Sequence, residues 1–407
     1  MSRSTYVPPK ESHLNITMDS HSSFKTIWRY RPFWVLSLAI FLGAYSYGMS
    51  AVSTTWLTRD SHWTLWHLLW APIGLIVGIL WGGLTVDHLG RIRLFRWTPI
   101  GYVIGSVILV VARNHFLASA GSLVLITTAG AESTIALVLG QELLPKPVRS
   151  TAFFLMMNFS NLGGFTLALL TTSHWAMLIR VLLTAGVPAI LAALSWCLRR
   201  HLEEPGYRRH PIGTRSGQTS HFYRTPRFLL AVIFSYANAA GFSLATYALG
   251  VAVYPALFGR FLIFGTLGAF MAGLASPLFA KIPIERLLFG SNVTTFLIAL
   301  GIAVASSIHW TLWTTLSIGT GIAFLAENEF KTNAWPSAVR GTAIAWERAG
   351  GQLGYLLTLL AVHNLSFSQL SWVLVGIWAT GSVAAIIWLD ISRNSHSLGI
   401  ESSEDTP

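Results

Sequence analysis

A single cysteine, Cys197, in 407 residues excludes an intramolecular disulfide and any cysteine cluster for a metal. Charge is scarce too. Asp, Glu, Lys and Arg make up 11% of the chain, less than half the roughly 25% of an average soluble domain. No Gly-x-x-x-x-Gly-Lys-Ser/Thr loop is present to cradle a nucleotide's phosphates, which leaves ATP-driven pumping without its engine. Neither His-Glu-x-x-His nor Gly-x-Ser-x-Gly occurs, so nothing supports a membrane hydrolase. No enzyme activity, catalytic residue, cofactor or metal site is expected.

What fills the chain is hydrocarbon: 53% of the residues are hydrophobic. A bilayer-spanning helix needs about 20 apolar residues, and that rule places spans 1 to 6 near 33–57, 64–86, 95–113, 117–142, 150–172 and 175–198. Spans 7 to 12 fall near 227–249, 255–280, 286–307, 310–331, 340–363 and 369–391. The expected architecture is an all-α membrane protein. Its twelve transmembrane helices form two pseudo-symmetric six-helix bundles, at 33–198 and 227–392, with tails at 1–32 and 393–407 and a polar linker at 199–226. Residues 1–30 are polar and precede a long helix, so no removable signal peptide is read and the first span is itself the insertion signal.

Orientation follows the positive-inside rule. Lys and Arg collect in the tails, the linker and the loops after spans 2, 4, 8 and 10, whereas the opposite ends hold only Arg59, Arg113 and Arg260. Both termini are therefore expected in the cytoplasm of a cell whose membrane holds the protein. Short outer loops fit a bacterial inner membrane. The formal charge of +11 lies along one face of a membrane protein, which suits anionic lipid headgroups better than nucleic acid. A monomer is expected.

The chain also repeats itself. Pro145-Lys-Pro-Val148-Arg149-Ser-Thr151-Ala152 returns 191 residues later as Pro336-Ser-Ala-Val339-Arg340-Gly-Thr342-Ala343, and the stretch Gly82 to Arg93 has a faded counterpart near Gly273 to Arg286, whose start is again offset by 191. Internal duplication in so apolar a chain marks a membrane transporter, with its substrate site between the repeats.

The residues Gly83-x-x-x-Asp87-x-x-Gly90-Arg91-x-Arg93 lie between spans 2 and 3, where the turn must be tight and cationic. They resemble the loop motif of the major facilitator superfamily. Glu142-x-x-Pro145-x-x-x-Arg149, with its copy ending in Arg340, resembles that superfamily's sugar-porter and metabolite-symporter branches, and His201-Leu-Glu203-Glu204-Pro205 is like a degraded form of their Pro-Glu-Ser-Pro element. The resemblance covers roughly residues 30–392. It implies secondary transport by alternating access, with Gly83, Asp87, Gly90, Arg91, Arg93, Glu142, Arg149 and Arg340 in the gate.

Physically, Asp87 can face the positive N-terminal end of span 11, and Arg91, Arg93 and Arg149 can pair with Glu142 when that side is closed. Exposed contacts of this kind are worth about 1 kcal/mol or less, which suits a switch that reopens every cycle. A simpler role for these arginines is to hold topology and bind lipid phosphate. The second copy has Leu278 where Asp87 would fall and Asn333 where Glu142 would, so the two gating surfaces are expected to be asymmetric.

Ionisable groups inside spans are costly and are functional candidates by default. Glu132 lies mid-span, at a position similar to that of an acid in the metabolite-symporter branches. Burial favours a carboxylate's neutral form, so Glu132 is the expected proton-coupling group; its competing role is a structural carboxylate paired with a neighbouring helix. Glu347-Arg348 before Gly350-Gly351 resembles the Gly-Arg-x-Gly-Gly run of the same branches. Arg348 stands about 12 Å above Arg340 along a helix and is expected to meet substrate; a structural pairing with Glu132 or Glu329 is its alternative. Glu327 and Glu329 read as solvated vestibule residues, and Arg180 as a residue that snorkels. Tyr45, Tyr47, His67, Tyr236 and Asn238 complete the expected cavity, with Tyr45, Tyr236 and Asn238 as substrate contacts beside Arg348.

The expected function is proton-coupled symport of a small polar metabolite, with an organic anion preferred because of Arg348. A sugar-like uniporter or symporter fits the glutamate-proline-arginine loops equally well. A drug exporter ranks lower because span 5 lacks a Gly-Pro pair. A non-transporting receptor that keeps the fold is the remaining alternative.

Overall fold

In the computed structural model, residues 27–53, 56, 61–173, 175–203, 225–305, 307–337 and 339–397 are described. Arg59, Glu204, Pro205 and the side chain of His67 lie outside them, as do most of both tails and of the linker.

Twelve long helices carry the described chain. The first six are α1 (Arg31–Ser53), α2 (Ser61–Leu89), α3 (Arg91–Val111), α4 (His115–Leu143), α5 (Arg149–Thr172) and α6 (Met177–Arg199). Next come α7 (Pro226–Ser243), α8 (Phe258–Leu274), α9 (Ile284–Ala305), α10 (Trp310–Asn333), α11 (Arg340–Val362) and α12 (Phe367–Ser397). Ten of the helices are long and apolar enough to cross a membrane; α10 and α11 complete the twelve and interrupt their apolar sequence with Glu327, Glu329, Lys331, Glu347 and Arg348. No strand occurs among the described residues.

Two departures from the expected spans have local causes. The seventh does not stay α-helical: from Leu244 to Val253 it widens into a π-helix that stops before Pro255, which has no N–H to continue it. The twelfth runs past 393 to Ser397, taking up part of the expected tail.

Helix starts follow ordinary capping. Asn114 accepts from the Leu117 N–H (2.8 Å) and Thr225 from the Phe228 N–H (3.3 Å), each satisfying a donor the helix itself cannot. The described parts of the duplicated motif share their hydrogen bonds in both copies. Val148 N–H bonds to the Pro145 carbonyl and Val339 N–H to the Pro336 carbonyl, both at 3.1 Å. Arg149 Nε then donates to the Leu144 carbonyl at 3.3 Å and Arg340 Nε to the Trp335 carbonyl at 3.2 Å. Each arginine thus returns to the carbonyl five residues behind it.

The first six helices pack on one another, as do the last six, and the halves meet along two seams, α2 against α11 and α5 against α8. These seams exchange under the offset of the repeat. The pseudo-twofold relation even closes on one contact, where Gln141 Nε2 donates to Thr332 Oγ1 at 2.8 Å, two residues 191 apart. Helices α6 and α7 stop and start at the same end of the bundle, called the linker end below; the other is the far end.

Candidate substrate cavity and its gates

At the linker end the α2–α11 seam is drawn tight by small residues. A methyl group at Gly83 would stand 2.2 Å from Ala345 Cβ and 2.7 Å from the Gly341 carbonyl, so only glycine admits this approach. It brings Asp87 onto the first turn of α11, where Oδ2 accepts from both Thr342 N–H and Thr342 Oγ1 at 2.9 Å. The carboxylate occupies the positive end of the helix dipole and satisfies one of its orphan donors. Gly90 turns the chain into α3 with φ 108°, a conformation glycine adopts without strain.

That turn aims Arg91 inward. Its side chain is only 3% exposed; it pairs with Glu142 and, at 3.5 Å, with Asp87, and Nη2 donates to the Ser337 carbonyl at 2.6 Å. Glu142 is shared across the halves, because Arg340 approaches it at 3.5 Å from α11. The expected partnership of Arg149 with Glu142 is replaced by Arg340: Arg149 spends its Nε on Leu144 instead. Arg93 stands exposed on the first turn of α3. Ser150 adds a further bridge between the halves, donating to Glu329 Oε1 at 2.6 Å.

Above this closure lies a cavity between the halves, in which the centre of a water molecule can move through about 170 Å³. It is lined by α1, α2, α4 and α5 from one half and α7, α8, α10 and α11 from the other. Its far end narrows at Tyr47, whose hydroxyl meets Ser243 Oγ at 2.7 Å and whose ring meets Tyr247 edge to face at 5.5 Å.

Of the expected substrate contacts, Arg348 and Asn238 line the cavity. Arg348 crosses from α11 to α4, donating to Thr134 Oγ1 at 2.9 Å and Ser133 Oγ at 3.0 Å. Its hydrogen-bond partners are neutral hydroxyls and not the acids Glu132 or Glu329. Asn238 Nδ2 donates to the Phe234 carbonyl at 3.3 Å, which leaves its buried Oδ1 without a partner.

Tyr45 and Tyr236 are corrected. Both lie off the cavity wall. Tyr45 is fully buried within the first half and donates to the Thr184 carbonyl at 2.9 Å, while Tyr236 shares a hydrogen bond with Thr358 at 3.0 Å. The helical period decides this: Tyr45 and Tyr47 are about 200° apart around α1, so one faces the cavity and the other the bundle.

Glu132 is corrected as well, toward its alternative. It is fully buried among α3, α4 and α6, away from the cavity, with Arg199 Nη2 at 2.5 Å from Oε1. Thr98 Oγ1 donates to Oε2 at 2.5 Å, and the Arg199 guanidinium lies 3.8 Å over the Phe95 ring. Arg199 was expected in the linker; it is instead the last residue of α6 and holds Glu132 through Nη1 and Nη2, while its buried Nε has no partner.

The solvated reading of Glu327 fails too. Glu327 is 3% exposed and lines the cavity, paired with Lys331 one turn later on α10. Ser235 of α7 ties the two, donating to Glu327 Oε1 at 2.8 Å and accepting from Lys331 Nζ at 2.9 Å. The spacing of Glu327 and Lys331, four apart in an otherwise apolar helix, was the signal that could have found this pair. Behind it, buried Glu347 accepts from Trp335 Nε1 at 2.6 Å.

No protein-family model matches the chain, and no curated protein matches it in sequence. Solved structures match in shape. The proton:xylose symporter XylE of the major facilitator superfamily, bound to 6-bromo-6-deoxy-D-glucose, superposes with a TM-score of 0.70, covering 90% of this chain and 96% of that one at 13% identity. The chain has the major facilitator fold. FucP in its outward conformation matches with a TM-score of 0.65 at 13% identity, covering 88% of this chain and 98% of that one. A variant of the Escherichia coli fucose:proton symporter FucP gives 0.65 at 14% identity, over 88% and 99%. The cavity described above lies between the two halves of this fold.

Proposed function

We propose that the protein is a secondary active transporter of a cell membrane, moving a small organic anion together with protons by alternating access between its two halves. Arg348 carries this reading. It is a cation on the wall of a central cavity whose hydrogen bonds go to hydroxyls of the opposite half, so an incoming carboxylate can replace two neutral acceptors with a charge-assisted, bidentate pair. The linker end is then the cytoplasmic gate in its closed state, and Asp87, Arg91, Glu142 and Arg340 are contacts that break when it opens. The protein is read as acting as a monomer in lipid, with both termini in the cytoplasm.

Sugar transport is the second reading. It is favoured by the amides Asn161, Asn238, Asn328 and Gln352 on the same wall and by the likeness in shape to a proton:xylose symporter and a fucose:proton symporter. Uptake by purified protein in proteoliposomes separates the two. With an inward proton gradient, labelled organic acids are expected to accumulate and hexoses and cationic drugs are not. Accumulation of a hexose alone selects the sugar reading, and no flux of any solute rejects transport.

A further inference from the structure

Four ionisable groups crowd the α10–α11 side of the cavity. Glu327, Lys331 and Arg348 line it, and Glu347 stands behind them. Their formal charges sum to zero. A carboxylate that entered alone would leave the cluster with one uncompensated negative charge in a water-poor setting, which is strongly unfavourable. A proton that entered with it would keep the sum at zero. The proton needs an acceptor on the cavity wall, and Glu327 is the carboxylate there.

Lys331 is already bound to that acceptor. Its ammonium is held by Glu327 and by Ser235, which contacts both. When Glu327 is neutralised the ammonium loses its counter-charge and needs a new anion, and Arg348 is the other cation on the same wall. Buried acceptors without partners point to the rest of the ligand. Asn238 Oδ1 and Gln352 Oε1 both belong to cavity residues and both lack a hydrogen-bond donor. A bound molecule that supplies hydroxyl donors removes the cost of leaving them bare.

We propose that the cavity binds a hydroxylated monocarboxylate of the sugar-acid type with one proton: the proton adds to a Glu327 carboxylate oxygen, Lys331 is thereby released to join Arg348 on the ligand's carboxylate, and Asn238 and Gln352 accept hydrogen bonds from its hydroxyls. Lys331 remains an ammonium throughout, so the only bond made is O–H on Glu327, broken again when the proton leaves on the other side. The groups facing Glu327 are Lys331 on its own helix, Ser235 on α7, and Arg348 and Glu347 on α11. This assignment rests on the anion reading above and deepens it.

The test is binding of D-gluconate, with L-lactate, succinate and D-glucose as companions, to the full-length protein in detergent between pH 5 and pH 8. Electrogenic and electroneutral uptake are compared in proteoliposomes carrying an imposed potassium diffusion potential. Gluconate is expected to bind best. Its affinity should rise by about tenfold per unit fall in pH, as one coupled proton requires, and its uptake should respond to a pH gradient and not to the potential. E327Q should bind gluconate with an affinity independent of pH and fail to accumulate it while still exchanging it. Gluconate binding whose pH dependence survives in E327Q, or is lost in E347Q instead, overturns the proton assignment and leaves the anion reading standing. Binding of glucose alone, or of no carboxylate, overturns both. The potential dependence of wild-type uptake needs no variant, and a strong response to it also overturns the assignment.

Discussion

The two halves share a fold and a duplicated motif, yet they use buried charge in opposite ways. In the first half Glu132 and Arg199 form a fully buried pair inside the bundle, backed by Thr98 and the Phe95 ring. In the second half Glu327 and Lys331 form a comparable pair that opens on the cavity. One pair lies within three packed helices, its carboxylate held by Arg199 and Thr98, and does not reach the cavity. The other stands beside unpartnered acceptors and a second cation. On the proposed function the related halves divide the work, one acting as a rigid frame and the other supplying the charged groups for the ligand. The seams differ in the same sense. At α2–α11 a carboxylate, Asp87, holds the N-terminus of α11, whereas at α5–α8 the contacts are amides: Asn158 Nδ2 to the Phe270 carbonyl and Asn161 Nδ2 to the Ala269 carbonyl, both at 3.2 Å.

The hardest break in this contrast is removal of one partner from the structural pair. R199M leaves a buried carboxylate uncompensated and is expected to cost about 3 to 5 kcal/mol of stability, read as a large fall in thermal unfolding temperature in detergent. The double variant E132M/R199M should recover most of the loss and keep anion binding. If it binds nothing, the first-half pair belongs to the transport chemistry and the division of labour is wrong.

Next is Gly83, where a side chain has no room. G83L should disfavour the closed linker end by about 1 to 3 kcal/mol, the usual cost of overpacking, and accelerate thiol labelling of a cysteine introduced by T332C in a C197S background. At the other seam Gly164 faces only Thr266 Cγ2 at 3.1 Å, so G164A should alter labelling far less.

K331M is predicted to weaken gluconate binding by at least tenfold, about 1.4 kcal/mol, measured by titration at pH 5.5, where a lost cation is not hidden by weak binding of the wild type. The smallest effect is expected from D87N, which keeps the acceptor at Thr342 but removes its charge from the end of α11. About 1 kcal/mol of bias toward the closed gate should go, seen as a modest rise in T332C labelling with little change in unfolding temperature.

Much of this was legible in the sequence. Span number followed from the length of apolar runs, because a helix that crosses lipid must be long and hydrophobic whatever it packs against. The placement of Asp87 on α11 was readable for a similar reason: a glycine-flanked acid opposite a duplicated helix start has few favourable partners. Arg348 and Asn238 were placed on the cavity from their sequence setting. Tyr45, Tyr236 and Glu132 were not, because a polar residue in an apolar helix signals only that it needs a partner. For Tyr45 that partner is the Thr184 carbonyl, 139 residues away, and for Glu132 it is Arg199, 67 residues away.

The sequence by itself determined what depends on local or averaged chemistry: the helices, the repeat and its identical arginine-to-carbonyl turns, and the glycine at residue 90. Only the tertiary structure decided which buried charges face each other and which face the cavity. A charge in a water-poor interior is stable only beside its complement, and the complement of each acid is chosen by how the helices cross.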